Sequence, residues 1–141
     1  MTPLDNLLKQ TKLVVDERAY QMIKLPHGGI TAAAGIIAAM RDPFCALLVD
    51  PDEVTLVLPV EAWDEFARRL PAAQVADTRF RLITFAMVFD FTVVGFMARV
   101  SAALAEAQVP IFPFAAYSTD HILVPEAKLD AALTALRAIM Q

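Results

Sequence analysis

The stretch DFTVVGFMARVSAALAEAQVPIFPFAAYSTDHILVP, Asp90–Pro125, decides the fold. It reads as a turn, an amphipathic helix, a strand, a tight turn carrying Ser118-Thr119-Asp120-His121, and a second strand. Its polar residues gather mainly at the two turns. A polar helix start and a polar strand-to-strand turn on an apolar framework suit the two lips of a small-ligand site. The pattern points to a ligand-binding module more than to an enzyme.

Working outward, Val93–Gln108 is expected as a helix burying Met97, Val100, Leu104 and Ala107, which recur at helical spacing. Pro110 marks its end, and Ile111–Tyr117 and His121–Val124 are expected as strands. The last helix, Glu126–Met140, presents Leu129, Leu133, Leu136 and Met140 on one side, with a glutamate in its first turn to complement the helix dipole. Upstream, Phe80–Phe89 reads as a strand, rich in β-branched and aromatic residues. Pro71–Thr78 has loop composition and marks the expected boundary between an N-terminal domain, 1–72, and a C-terminal domain, 73–141.

The first half follows the same logic. Residues 1–12 are expected as a short helical or loose lead-in, and Lys12–Asp16 is a short strand candidate that can complete either sheet. An acidic turn at Asp16-Glu17-Arg18 precedes a strand Ala19–Leu25, stopped by Pro26-His27-Gly28-Gly29. Ile30–Met40 is apolar almost all round and alanine-rich, which favours a short buried helix over a strand. Phe44–Val49 and Val54–Leu58 flank Asp50-Pro51-Asp52-Glu53, the turn chemistry of a hairpin. Val60–Leu70 is a helix with Trp63, Phe66, Ala67 and Leu70 on its apolar side. The sum is an α+β protein of two ferredoxin-like βαββαβ halves, with helices packed on antiparallel sheets.

Composition narrows the function classes. The 57% hydrophobic content of the 141 residues implies an unusually large core or apolar surface covered by a second chain, so a homodimer or higher homo-oligomer is expected. The net charge of −4 and the lack of a Lys/Arg cluster argue against nucleic-acid binding. The single cysteine, Cys45, excludes an internal disulfide and reads as a core residue beside Phe44. No membrane span is expected: the run between Arg81 and Arg99 carries Asp90 at its centre, where a charge costs roughly 2.5–3.5 kcal/mol. The N-terminus has an acid and no long apolar core, so a cytoplasmic protein is expected.

Two sets of residues could hold a ligand. At the first lip, Asp90 or Thr92 can cap the helix, and the backbone N–H groups of Val93, Val94 and Gly95 offer a carboxylate site. The competing reading, favoured by the local signal alone, is simple capping, with Gly95 easing helix–sheet packing. At the second lip, Asp120 suits an ammonium and Thr119 offers both donor and acceptor; the competing reading is a Ser/Thr or Asx turn. His121 has no nucleophile to activate, and Asp120 beside it points to the opposite strand face, so neither is expected to be catalytic. His27 reads as a loop residue. Asp50 and Asp52 read as solvated turn carboxylates. No metal pattern, dinucleotide fingerprint or nucleophile elbow occurs, and no cofactor is expected.

At these residues the chain resembles the two-domain ACT proteins, which are related to the cytosolic arginine sensors of animals. The resemblance is carried by Asp90-Phe91-Thr92 with Gly95, by Ala103-Leu104-Ala105-Glu106-Ala107 with Val109, and by Tyr117-Ser118-Thr119-Asp120-His121-Ile122-Leu123-Val124. Glu53-Val54-Thr55-Leu56-Val57-Leu58-Pro59 and the Tyr20–Pro26 segment are similar to the family's first domain. The resemblance implies a non-catalytic regulatory module of ACT type holding an amino acid where two domains meet. Val93–Gly95 would take its carboxylate and Asp120 its ammonium, while Val57 and Leu58 would approach from the first domain. Phe114-Ala115-Ala116 departs from the family's small hydroxyl residues and makes that wall bulkier and drier. The alternative is a self-associating scaffold of the same fold with a vestigial site.

Overall fold

A computed structural model describes residues 1–41, 43–87 and 92–141. Helix α1 (Pro3–Gln10) starts at a reciprocal cap: the Thr2 hydroxyl accepts from the Asp5 N–H, and the Asp5 carboxylate accepts from the Thr2 N–H at 3.1 Å. Strand β1 then runs unbroken from Lys12 to Leu25. The expected turn at Asp16-Glu17-Arg18 is absent. Extended backbone tolerates these charges because Glu17 and Arg18 are exposed, while the Asp16 carbonyl accepts two bonds from the Arg81 guanidinium, at 2.7 and 3.2 Å.

After β1 come helix α2 (Ile30–Ala39), strands β2 (Ala46–Val49) and β3 (Val54–Pro59), helix α3 (Val60–Phe66) and the short strand β4 (Gln74–Val75). Strand β5 (Phe80–Ala86), helix α4 (Phe96–Glu106), strands β6 (Phe112–Ala115) and β7 (Asp120–Pro125) and helix α5 (Leu129–Met140) complete the chain. Turns of 3-10 helix precede α2 and α5 and follow α3.

These elements form two compact units, Arg18–Phe80 and a second built from Met1–Glu17 together with Arg81–Gln141. Their bounds differ from a division at 72/73. Residues 74–75, read as loop, pair with Ile23 and Lys24 of β1, so the chain stays with the first unit until Phe80. The Lys12–Glu17 part of β1 belongs with residues 81–141.

In the Arg18–Phe80 unit the antiparallel strands lie in the order β2-β3-β1-β4. Alternate residues of β1 and β3, Ile23 and Leu25 with Val54, Leu56 and Leu58, form one cluster with Ala33 and Ile36 of α2, with Trp63 and Phe66 of α3 packed against it. The hairpin turn is fixed by the Asp50 carboxylate, which accepts from the N–H groups of Asp52 and Glu53 at 2.8 and 2.9 Å. These bonds lower the Asp50 pKa. Cys45 packs at the edge of the same cluster, and burial raises its pKa.

In the other unit the strand order is β1-β5-β7-β6. Its core joins Leu7 and Leu8 of α1, Ile83 and Phe85 of β5, Phe96, Val100 and Leu104 of α4, Ile122 and Val124 of β7, and Ala132 and Leu136 of α5. Helix α4 ends with Gln108 at φ +59°; the Val109 N–H reaches the Leu104 carbonyl at 2.9 Å and the Gln108 N–H that of Ala105 at 3.0 Å. No helix among the described residues is long and apolar enough to cross a membrane.

Candidate functional site

The first lip begins later than the periodicity suggests. α4 starts at Phe96, so its first-turn N–H groups belong to Phe96, Met97 and Ala98, and those of Val93, Val94 and Gly95 precede the helix. Gly95 occupies the cap position at φ +96° and has no side chain to cap with. That φ favours glycine strongly. The Gly95 carbonyl accepts the first helical bond, from the Arg99 N–H at 3.0 Å. Val93 packs on the core, whereas Val94 is exposed. Asp90 lies outside the described residues.

α1 stands beside this helix start. Arg99, in the first turn of α4, is 3.6 Å from the Asp5 carboxylate, and a Cβ on Gly95 would meet Leu4 at 3.5 Å. The Asp5 pKa is lowered, chiefly by its bonds from Thr2 and to a lesser degree by Arg99. The lead-in expected over residues 1–12, short helical or loose, is the helix α1. The signal was present, since Thr2-Pro3-Leu4-Asp5 has the pattern of a helix start.

The second lip is the turn between β6 and β7, closed by the Ala116 N–H donating to the Thr119 carbonyl at 3.0 Å. Asp120 pairs with Ala115 and His121 with Phe114 in the two-strand register. Thr84 Oγ1 and His121 Nδ1 are 2.8 Å apart. That bond sets the start of β7 beside the end of β5. Both lips belong to one unit. Burial lowers the His121 pKa, with the Asp120 carboxylate opposing it.

Val57 and Leu58 belong to the other unit. Both are fully buried; Val57 is paired with Met22 on one side and Ala46 on the other, and Leu58 with Gln21. Their side chains offer a ligand no exposed atom. His27 is not a simple loop residue: its Nε2 lies 2.7 Å from the Asp50 carbonyl, docking the Pro-His-Gly-Gly segment on the β2–β3 turn. Among the described residues no group of three or more His, Cys, Asp or Glu is placed to hold a metal.

Comparison with known proteins bears on the unit that holds both lips. Residues 75–138 match the ACT domain family model. The match takes in α4, both strands of the β6–β7 hairpin and nearly all of α5. No curated protein sequence matches the chain. Among solved structures, a Vibrio cholerae protein of unknown function, described as a possible transport protein, is 25% identical over 98% of this chain and 96% of its own, with a TM-score of 0.77. The ligand-free regulatory subunit of aspartate kinase from Thermus thermophilus shares the fold at TM-score 0.74 and 12% identity, covering 94% of this chain and 100% of that one. A protein from Agrobacterium tumefaciens is similar at TM-score 0.70 and 20% identity, over 93% and 90% of the two chains.

Proposed function

We propose that this protein is a non-catalytic amino-acid-binding regulatory module of two ACT-like halves. The observation that carries the reading is Gly95 at φ +96°, a residue with no side chain at the N-cap of a helix within the segment that matches the ACT domain. The amino acid's carboxylate meets the N–H groups at the start of α4, beside Thr92, Val93, Val94 and Gly95, and its ammonium meets Asp120, with Thr119 alongside. The fold shared with a regulatory subunit of aspartate kinase supports a regulatory role. An apolar surround with a single acid suits a neutral amino acid.

Thermal unfolding against the twenty amino acids, with Asp120→Ala as control, tests this. A ligand at a hundredfold excess over its Kd stabilises by about 2.7 kcal/mol, and the variant loses that response. A flat panel at millimolar ligand sinks the reading. It would favour the second one, a self-associating scaffold, for which the specific observation is that Leu48 and Val49 are exposed on β2, a strand at the end of its sheet.

A further inference from the structure

A separate cleft of about 220 Å³ lies wholly within the Arg18–Phe80 unit, between the β1–α2 connection and the segment that leads from α3 to β4. At roughly 30 Å³ per water-sized group, it has room for about seven non-hydrogen atoms. Leu25, Pro26, Leu70 and Pro71 supply apolar walls, and Gly28 and Gly29 bring bare backbone to the edge.

One charged side chain, Arg69, lines it, and no aspartate or glutamate does. The Arg69 guanidinium carbon lies 4.9 Å from the centre of the Phe66 ring. Stacking orients the guanidinium plane while leaving its N–H donors unused. Among the described residues, no carboxylate forms an ion pair with it.

We propose that this cleft binds a small apolar monocarboxylate that carries no amino group. Arg69 takes the carboxylate through charge-assisted bonds, and the hydrocarbon lies against Leu25 and Leu70. An ammonium entering the same cleft would lose water without gaining an acidic partner, so the site selects an acid over the matching amino acid or amine. This inference stands independently of the site at α4, which lies in the other unit.

Two substitutions probe it without disturbing the fold. Gly29 has an ordinary φ of −86°, and a Cβ there would meet Leu25 and Leu70 at 3.5 Å, so Gly29→Ala is accommodated and places a methyl between two lining residues. Arg69→Met keeps an apolar stem over Phe66 and removes the charge.

The measurement is a backbone amide NMR titration with isovalerate, isoamylamine and leucine. Isovalerate should move the Gly28, Gly29, Ala72 and Ala73 signals saturably, and the amine and leucine should bind more weakly. Both variants should lower isovalerate affinity, Arg69→Met by about tenfold, the worth of one charge-assisted hydrogen bond. No saturable shift at tens of millimolar, equal binding by Arg69→Met, or leucine or the amine matching isovalerate would each overturn the proposal. Shifts confined to Gly95 and Asp120 would overturn it too, reporting the other site instead.

Discussion

Replacing Gln108 with glycine should stabilise the protein. Gln108 has a left-handed backbone at φ +59°, and it is exposed. An L-residue in that region costs about 1–2 kcal/mol that glycine avoids. Against this, glycine releases extra freedom in the unfolded chain, worth about 0.4–1 kcal/mol. The two backbone bonds that close α4 involve the Gln108 and Val109 N–H groups and survive the change, as does the backbone carbonyl that accepts from Lys128 Nζ at 3.3 Å. The net gain is therefore about 0.5–1 kcal/mol. Urea unfolding should show a raised midpoint with an unchanged slope, because the surface exposed on unfolding is the same. Gln108→Ala is the control: it keeps the left-handed cost and should bring no gain. A Gln108→Gly midpoint at or below that of the parent would refute the argument that this turn is strained.

Leu104→Ala, at a fully buried position in α4, should cost about 2–5 kcal/mol in the same assay. Gly95→Ala should cost about 1–2 kcal/mol through its backbone conformation, and should weaken any amino-acid response by crowding the helix start. Because the His121 pKa is lowered on folding, the unfolded chain takes up its proton first. Stability should thus be full above pH 6.5, the ordinary histidine value, and fall as the pH drops below it; a His121→Gln variant should flatten that slope. Asp50→Ala should lower the melting temperature at neutral pH by freeing the Asp52 and Glu53 N–H groups. Since the Asp50 pKa is depressed below 3.8, the difference between parent and variant should persist at neutral pH and shrink as the pH falls below 3.8 through the folded value.

The fold was legible wherever a local period or turn chemistry set it. Val100 and Leu104 are buried in α4 as their spacing required, and Asp50-Pro51-Asp52-Glu53 makes the expected turn. The failures came where distant partners override local composition. Asp16-Glu17-Arg18 looks like a turn, yet it is held extended as Arg81 bonds the Asp16 carbonyl. Gln74-Val75 looks like loop until β1 pairs with it. At the candidate site, Gly95 was visible, but its backbone angle and the late start of α4 were not. The Thr84–His121 bond joins residues 37 apart and had no local signature at all.

The divided unit has a consequence for synthesis. Asp16 and Arg81, joined in the finished molecule, are 65 residues apart. At roughly 5–20 residues per second on the ribosome, the first piece waits on the order of 3–13 s for its partner to be made. In that interval the whole of Arg18–Phe80, an uninterrupted run, is synthesised, while Leu13 and Val15 have no sheet to join. The charges at Asp16-Glu17-Arg18 break the apolar sequence of the waiting strand, the placement that keeps an unpaired strand from pairing with other chains.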